Sequence, residues 1–152
     1  MLRGRMKHTR RVFEEATVAK ILVIDDEPNV RTLLEMRLRQ QGYDVLFAEN
    51  GWKGLQLYRQ EHPHVIVLDL KMPELDGVTI LRQIRSVDPA QPVIILTGDT
   101  TPETERQVRA LGVSEFIVKG SSMKLLVDTL KGILTTATLG MGGSIVRDTL
   151  AS

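Results

Sequence analysis

His64-Val65-Ile66-Val67-Leu68-Asp69-Leu70-Lys71-Met72-Pro73-Glu74-Leu75-Asp76-Gly77 begins as a β-branched apolar run and ends in a series of chain breakers. Val65 to Leu68 is unbroken by any polar residue, as expected of a strand buried on both faces of a parallel sheet, and it stops abruptly on the carboxylate of Asp69. Met72-Pro73 and Asp76-Gly77 interrupt the chain, and a helical pattern opens at Val78. Asp69 is thereby expected on the carboxyl edge of a sheet, the edge at which open α/β sheets bind their ligands.

Working outward, the same grammar repeats. Upstream, Lys20-Ile21-Leu22-Val23-Ile24 is a second buried-strand run and ends on Asp25-Asp26. Pro28 suits a first helical turn, Val30, Leu33, Leu34 and Leu38 share a helical face, and Gly42 is the expected stop. Tyr43 to Ala48 reads as a shorter strand, Asn50-Gly51 as a turn, and Trp52 to Arg59 as a helix weakened by Gly54. Downstream, Val78, Leu81 and Ile84 face inward from a helix that ends by Asp88-Pro89. Pro92 to Leu96 is a fourth buried run, ending on Thr97-Gly98-Asp99. Pro102 to Leu111 is helical, Gly112 caps it, and Glu115 to Val118 is a fifth strand ending on Lys119. Ser121-Ser122 can cap a last helix with Leu125, Leu126, Leu130, Ile133 and Leu134 on its apolar side. Five alternations of strand and helix with short connections predict an α/β fold, a doubly wound five-stranded parallel sheet with helices on both faces.

Composition fits one globular domain: 152 residues, 42% hydrophobic and 26% charged. The absence of cysteine excludes disulfides, thiolate metal sites and cysteine nucleophiles. No apolar run approaches the ~20 residues of a membrane span, and the N-terminus lacks the apolar centre of a signal peptide, so a cytoplasmic location is expected. Residues 1–20 carry a charge of +4 and the remainder −3, which argues against nucleic-acid binding by the folded part. The expected organisation is a basic, disordered arm over 1–19, a folded domain over 20–135, and a flexible glycine-containing tail over 136–152.

Strand ends therefore place Asp25, Asp26, Asp69, Thr97 and Lys119 on one edge, and parallel neighbours only ~4.8 Å apart let these groups converge. Carboxylates so crowded repel one another unless a cation neutralises them, and an all-oxygen donor set suits hard Mg²⁺. A lysine and a hydroxyl opposite them suit a phosphoryl group. His62 and His64 flank Pro63 at a strand entrance, on the opposite edge, and are not expected to bind metal; Trp52 is expected as a partly exposed helix-start residue without a function.

Ile24-Asp25-Asp26-Glu27-Pro28, Leu68-Asp69 through Met72-Pro73 and Asp76-Gly77, Leu96-Thr97 and Val118-Lys119 resemble, in order and spacing, the receiver domain of two-component response regulators. The resemblance runs from about Lys20 to Leu134 and implies a flavodoxin-like sheet of strand order 2-1-3-4-5. It implies that Asp69 is a nucleophile that takes a phosphoryl group from the phosphohistidine of a sensor histidine kinase or phosphotransfer protein. Asp26, Asp69 and the carbonyl of Lys71 would bind Mg²⁺ directly and Asp25 through a water. Lys119 would pair with one phosphoryl oxygen and Thr97 with another. Phe116 occupies the place of the family's switch aromatic, although an aromatic in a strand equally fits plain core. The resemblance further implies a two-state surface on the fourth helix, fifth strand and fifth helix, which offers a homodimer face and signals to a separate output partner. It implies no enzyme activity beyond the domain's own phosphorylation and dephosphorylation.

One departure and one rim pair stand out. Gly120 follows Lys119 where the family usually has a proline in a cis peptide, and because a cis bond before a non-proline residue costs ~2.5–4 kcal/mol, a trans bond is expected. Lys71 and Asp99 flank the site and are expected to pair across it once it is phosphorylated, screening the phosphorus from water and slowing autodephosphorylation. Two rivals from other classes are an Mg²⁺-dependent phosphatase with an aspartate nucleophile, for which Lys71 stands where a second acid is wanted, and a receiver-like interaction module independent of phosphorylation.

Overall fold

The computed structural model describes residues 18–142. The expected N-terminal arm lies outside these except for Val18 and Ala19, and Ala19 is already buried in the core, with its carbonyl accepting a hydrogen bond from the Asp44 N–H at 2.9 Å. Ten elements alternate: β1 Lys20–Ile24, α1 Pro28–Gln40, β2 Asp44–Ala48, α2 Gly51–Glu61, β3 Val65–Leu68, α3 Gly77–Val87, β4 Val93–Thr97, α4 Pro102–Ala110, β5 Glu115–Val118 and α5 Met123–Gly142. The sheet is wholly parallel, in the order β2-β1-β3-β4-β5. Both the α/β class and the expected strand order are thus realised.

Side chains alternate across a strand, so each buried run feeds two separate cores. Leu22, Ile24, Ile66, Leu68, Val93 and Ile95 meet α2, α3 and α4 through Leu55, Tyr58, Ile80, Leu81, Ile84 and Val108. Ile21, Val23, Val65, Val67, Ile94 and Leu96 meet α1 and α5 through Leu34, Leu38, Leu126, Leu130 and Leu134. This two-sided burial is why the strands read as continuous apolar runs and not as alternating ones.

Helix ends follow their local chemistry. Pro28 opens α1, and Gly42, just past its end, has φ +87°. The side chains of Asn50 and Asp76 cap α2 and α3, accepting from the N–H groups of Lys53 and Thr79 at 2.8 Å each. Gly54, a residue that weakens a free helix, lets α2 lie close to β1: a Cβ on it would lie 2.6 Å from Ile24 Cδ1, so the buried Ile24 side chain would have to shift. Every described peptide bond is trans, Lys119–Gly120 included, and Gly120 has φ +92°.

Three expectations need amendment. Leu33 and Leu125 are 42% and 48% exposed, although both were placed on inward faces. Each precedes a fully buried leucine, and one residue is 100° of helix, which carries the side chain onto the shoulder. The helical backbone of α5 also runs on to Gly142, past Thr136 where a loose tail was expected to begin. Ala137, Leu139 and Met141 favour helix, and a glycine costs only ~1 kcal/mol in an established ladder. Residues 143–152 lie outside the described residues. No described helix is long and apolar enough to cross a membrane.

Candidate functional site

Each acid or base at a strand end is fixed by the strand beside it. The N–H of Asp25 donates to the Ala48 carbonyl at 3.0 Å, that of Asp69 to Ile24 at 3.0 Å, and that of Lys119 to Thr97 at 2.8 Å. The ladder thus extends one residue beyond β1, β3 and β5 and sets the functional residue on the sheet edge. Side chains then fold back onto their own loops. Asp25 Oδ1 accepts from the Glu27 N–H at 2.9 Å, Asp69 Oδ1 from the Lys71 N–H at 3.1 Å, and Thr97 Oγ1 from the Asp99 N–H at 3.1 Å. These are the local turns that short polar side chains favour.

The centre of the site is an ammonium among carboxylates. Lys119 Nζ lies 2.9 Å from Asp69 Oδ2 and 3.0 Å from Asp25 Oδ2, and it also donates to Glu27 Oε1. Oxygens of Asp25, Glu27 and Asp69 all fall within 4.8 Å of one another. Asp25 and Asp69 are each only 2% exposed, and Thr97 is fully buried at the end of β4. Burial foremost, with the charge of Asp69 adding to it, pushes the Asp25 carboxyl above its ordinary value, against the pull of the Glu27 N–H and of Lys119. Burial works to lower the Lys119 pKa, and hydrogen bonds to Glu27, Asp69 and Asp25 outweigh it, so the ammonium is held more tightly than a free one.

Three carboxylates against one ammonium leave an excess of two negative charges at this edge of the sheet. A divalent cation matches that excess, and an all-carboxylate donor set suits hard Mg²⁺ in preference to a softer metal. The residues present therefore fit such an ion.

Of the residues singled out from sequence, Asp25, Asp69 and Lys119 meet directly, and Lys71 joins them through its backbone N–H. Asp26 is half-buried and lies outside the group of carboxylates whose oxygens fall within 4.8 Å of one another, a group that Glu27 joins. Phe116 is half-buried, packs against the first core, and carries the Arg109 guanidinium 5.8 Å from its ring centre. Lys71 and Asp99 line one hollow between α3 and α4, but the Asp99 carboxylate is taken up by Thr101, at 3.0 Å from its N–H, and not by Lys71. His64 Nδ1 accepts from the Lys20 N–H at 2.9 Å, a structural role on the edge opposite the site.

Gly77 closes the loop that carries the nucleophile candidate. Its N–H donates to the Leu70 carbonyl at 3.0 Å, and a Cβ on it would lie 2.3 Å from the carbonyl oxygen of Asp69. Only a bare backbone fits that close to the turn after β3.

A five-stranded parallel sheet with an acidic, lysine-bridged carboxyl edge defines a class, and comparison with known proteins gives the family. The chain belongs to the response regulator receiver domains, signalling domains of two-component systems, whose family model matches residues 21–131. It is 40% identical over 115 residues to the probable transcriptional regulator ycf27 of Porphyridium aerugineum, covering 76% of this chain and 48% of that protein. It is 35% identical over 102 residues to the regulatory protein AtoC of Escherichia coli, covering 67% of this chain and 22% of that one. The chain thus spans about half, or less, of the length of these relatives. Among solved structures, a receiver domain protein from Clostridium thermocellum is 31% identical with a TM-score of 0.75, covering 80% of this chain and 98% of that one. The response regulator TrrA of Thermotoga maritima, solved in complex with Mg(2+)-BeF, is 30% identical with a TM-score of 0.70, covering 76% and 99%.

Proposed function

We propose that this domain is a phosphoacceptor: Asp69 takes a phosphoryl group from the phosphohistidine of a sensor histidine kinase or phosphotransfer protein. The observation that carries the reading is Asp69 itself, buried at a sheet edge with the Lys119 ammonium 2.9 Å from one oxygen and the Lys71 N–H 3.1 Å from the other. In the transfer, an Asp69 oxygen forms a bond to phosphorus while the phosphorus–nitrogen bond breaks, and its electron pair returns to the donor imidazole. Lys119 donates to a phosphoryl oxygen. Thr97 Oγ1 accepts from the Asp99 N–H at rest, so its own hydroxyl proton remains available for a second phosphoryl oxygen. Asp25, Asp26, Asp69 and the Lys71 carbonyl would hold Mg²⁺, which when bound neutralises charge on the transferring group and on the carboxylates.

Movement of Thr97 toward the phosphoryl group makes room for Phe116 to turn inward, and the surface of α4, β5 and α5 then presents a second arrangement to an output partner or to a second copy of the domain. A generic phosphatase is the weaker reading, because the residue two beyond Asp69 is Lys71 and not an acid. The test is intact-mass measurement after incubation with acetyl phosphate and Mg²⁺. One added phosphoryl group is expected, absent in Asp69→Ala and in EDTA. A chain that stays unmodified by every donor, phosphohistidine proteins included, overturns the reading in favour of an interaction module independent of phosphorylation. Steady release of phosphate from a generic ester would instead favour the phosphatase.

A further inference from the structure

The Lys119 ammonium has three N–H donors and three carboxylate partners, so no donor is left over for a phosphoryl oxygen. One partner has to give way. Asp25 is held by burial and by the Glu27 N–H, and Asp69 is the acceptor itself. The Glu27 side chain is different: it is 56% exposed, against 2% for the other two, so its carboxylate can return to water at little desolvation cost.

We propose that Glu27 is a positioning residue that occupies Lys119 in the resting domain and competes with the incoming phosphoryl group for it. This rests on Asp69 being the phosphoacceptor and Lys119 its cationic partner. The Glu27 carboxylate acts as a stand-in anion at the mouth of the site. It keeps Lys119 extended and charge-matched until a better anion arrives, and its departure also removes one negative charge from the path of that anion. The proximity of Asp25, Glu27 and Asp69 is then a resting arrangement around the lysine, with Glu27 the removable member.

The test uses beryllofluoride, an unreactive phosphoryl mimic, titrated at saturating Mg²⁺ into wild type, Glu27→Gln and Glu49→Gln, with binding followed by backbone amide shifts. Glu49 is an equally exposed acid just beyond β2, paired with Arg31, and controls for a general change of charge at this edge. In the same samples without anion or metal, the Lys119 side-chain ammonium resonance is recorded. Glu27→Gln is expected to tighten beryllofluoride binding by about two- to fivefold, the scale of an exposed ion pair. It is also expected to shift the ammonium signal and speed its exchange with water, with Glu49→Gln changing neither.

An ammonium signal unaltered by Glu27→Gln overturns the proposal whatever the anion does. So does an altered signal with unchanged or weaker beryllofluoride binding, an equal gain in Glu49→Gln, or a Mg²⁺ affinity that collapses in Glu27→Gln while the signal stays put, which would make Glu27 a metal ligand. If wild type takes up no beryllofluoride, the phosphoacceptor reading fails, and the competition proposed for Glu27 falls with it. A shifted ammonium signal in that case still identifies Glu27 as the resting partner of Lys119, which keeps the two failures distinct.

Discussion

Asp99 follows the buried end of β4 and shows how a single loop carboxylate gains a pH-dependent role. Hydrogen bonding from Thr101, helped by the more distant charge of Lys71, holds its pKa below the ordinary 3.8. A depressed folded-state value means the stabilisation is fully present above 3.8 and is lost as the pH falls through the lower folded value. Asp99→Ala should therefore lower the melting temperature at pH 7 by about 1–3 °C, with the gap to wild type closing in strong acid. A gap that stays constant from pH 7 to pH 2 would show that the carboxylate charge is not what matters. At this scale much of the site was legible. Asp25, Asp69, Thr97 and Lys119 each end an apolar run, and a buried strand that stops on such a group announces it. Glu27 was not legible. It sits beside another acid, and which of the two faces Lys119 depends on the turn made by the Asp25 carboxylate and the Glu27 N–H, a contact no spacing rule supplies.

Among elements, the critical fit is where α3 meets the turn after β3. Gly77→Ala drives a Cβ against the backbone of Asp69 and Leu70, atoms that cannot move aside as the end of a flexible side chain can. It should destabilise the fold by roughly 2–4 kcal/mol and slow modification of Asp69, as read by thermal melting and by intact mass. Gly98, beside Thr97, has open space where its Cβ would be, and Gly98→Ala should stay within about 0.5 kcal/mol of wild type. Equal effects from the two would mean that close backbone approach is not the cause. Element type and order were legible because burial on both faces leaves an unambiguous apolar run. Helix faces were harder: Leu33 and Leu125 fit an apolar stripe as well as their buried neighbours do, and only the packed sheet distinguishes centre from shoulder. Gly54 was a similar case, since a residue that counts against a helix on propensity is there for its contact with Ile24.

Across the whole molecule, Arg85 ties parts that are distant in sequence. From α3 it donates to the carbonyls of Leu111 and Gly112 before β5, and to those of Asp88 and Gln91 before β4, the last at 2.8 Å. Arg85→Ala leaves these carbonyls without their donor and should cost about 2–3 kcal/mol, measured by denaturant unfolding; Arg85→Lys, with a point charge in place of the planar fork, should recover less than half of that. The sheet order adds a point about time. Asp25 and Glu27 follow the first strand made, while Lys119 follows the last, which pairs with the far side of β4. Parallel strands must wait for their crossover partners, so the acids gather before the ammonium that balances them exists. A copy still being synthesised, or cut short before Lys119, therefore carries the crowded carboxylates of Asp25, Glu27 and Asp69 without the ammonium that balances them.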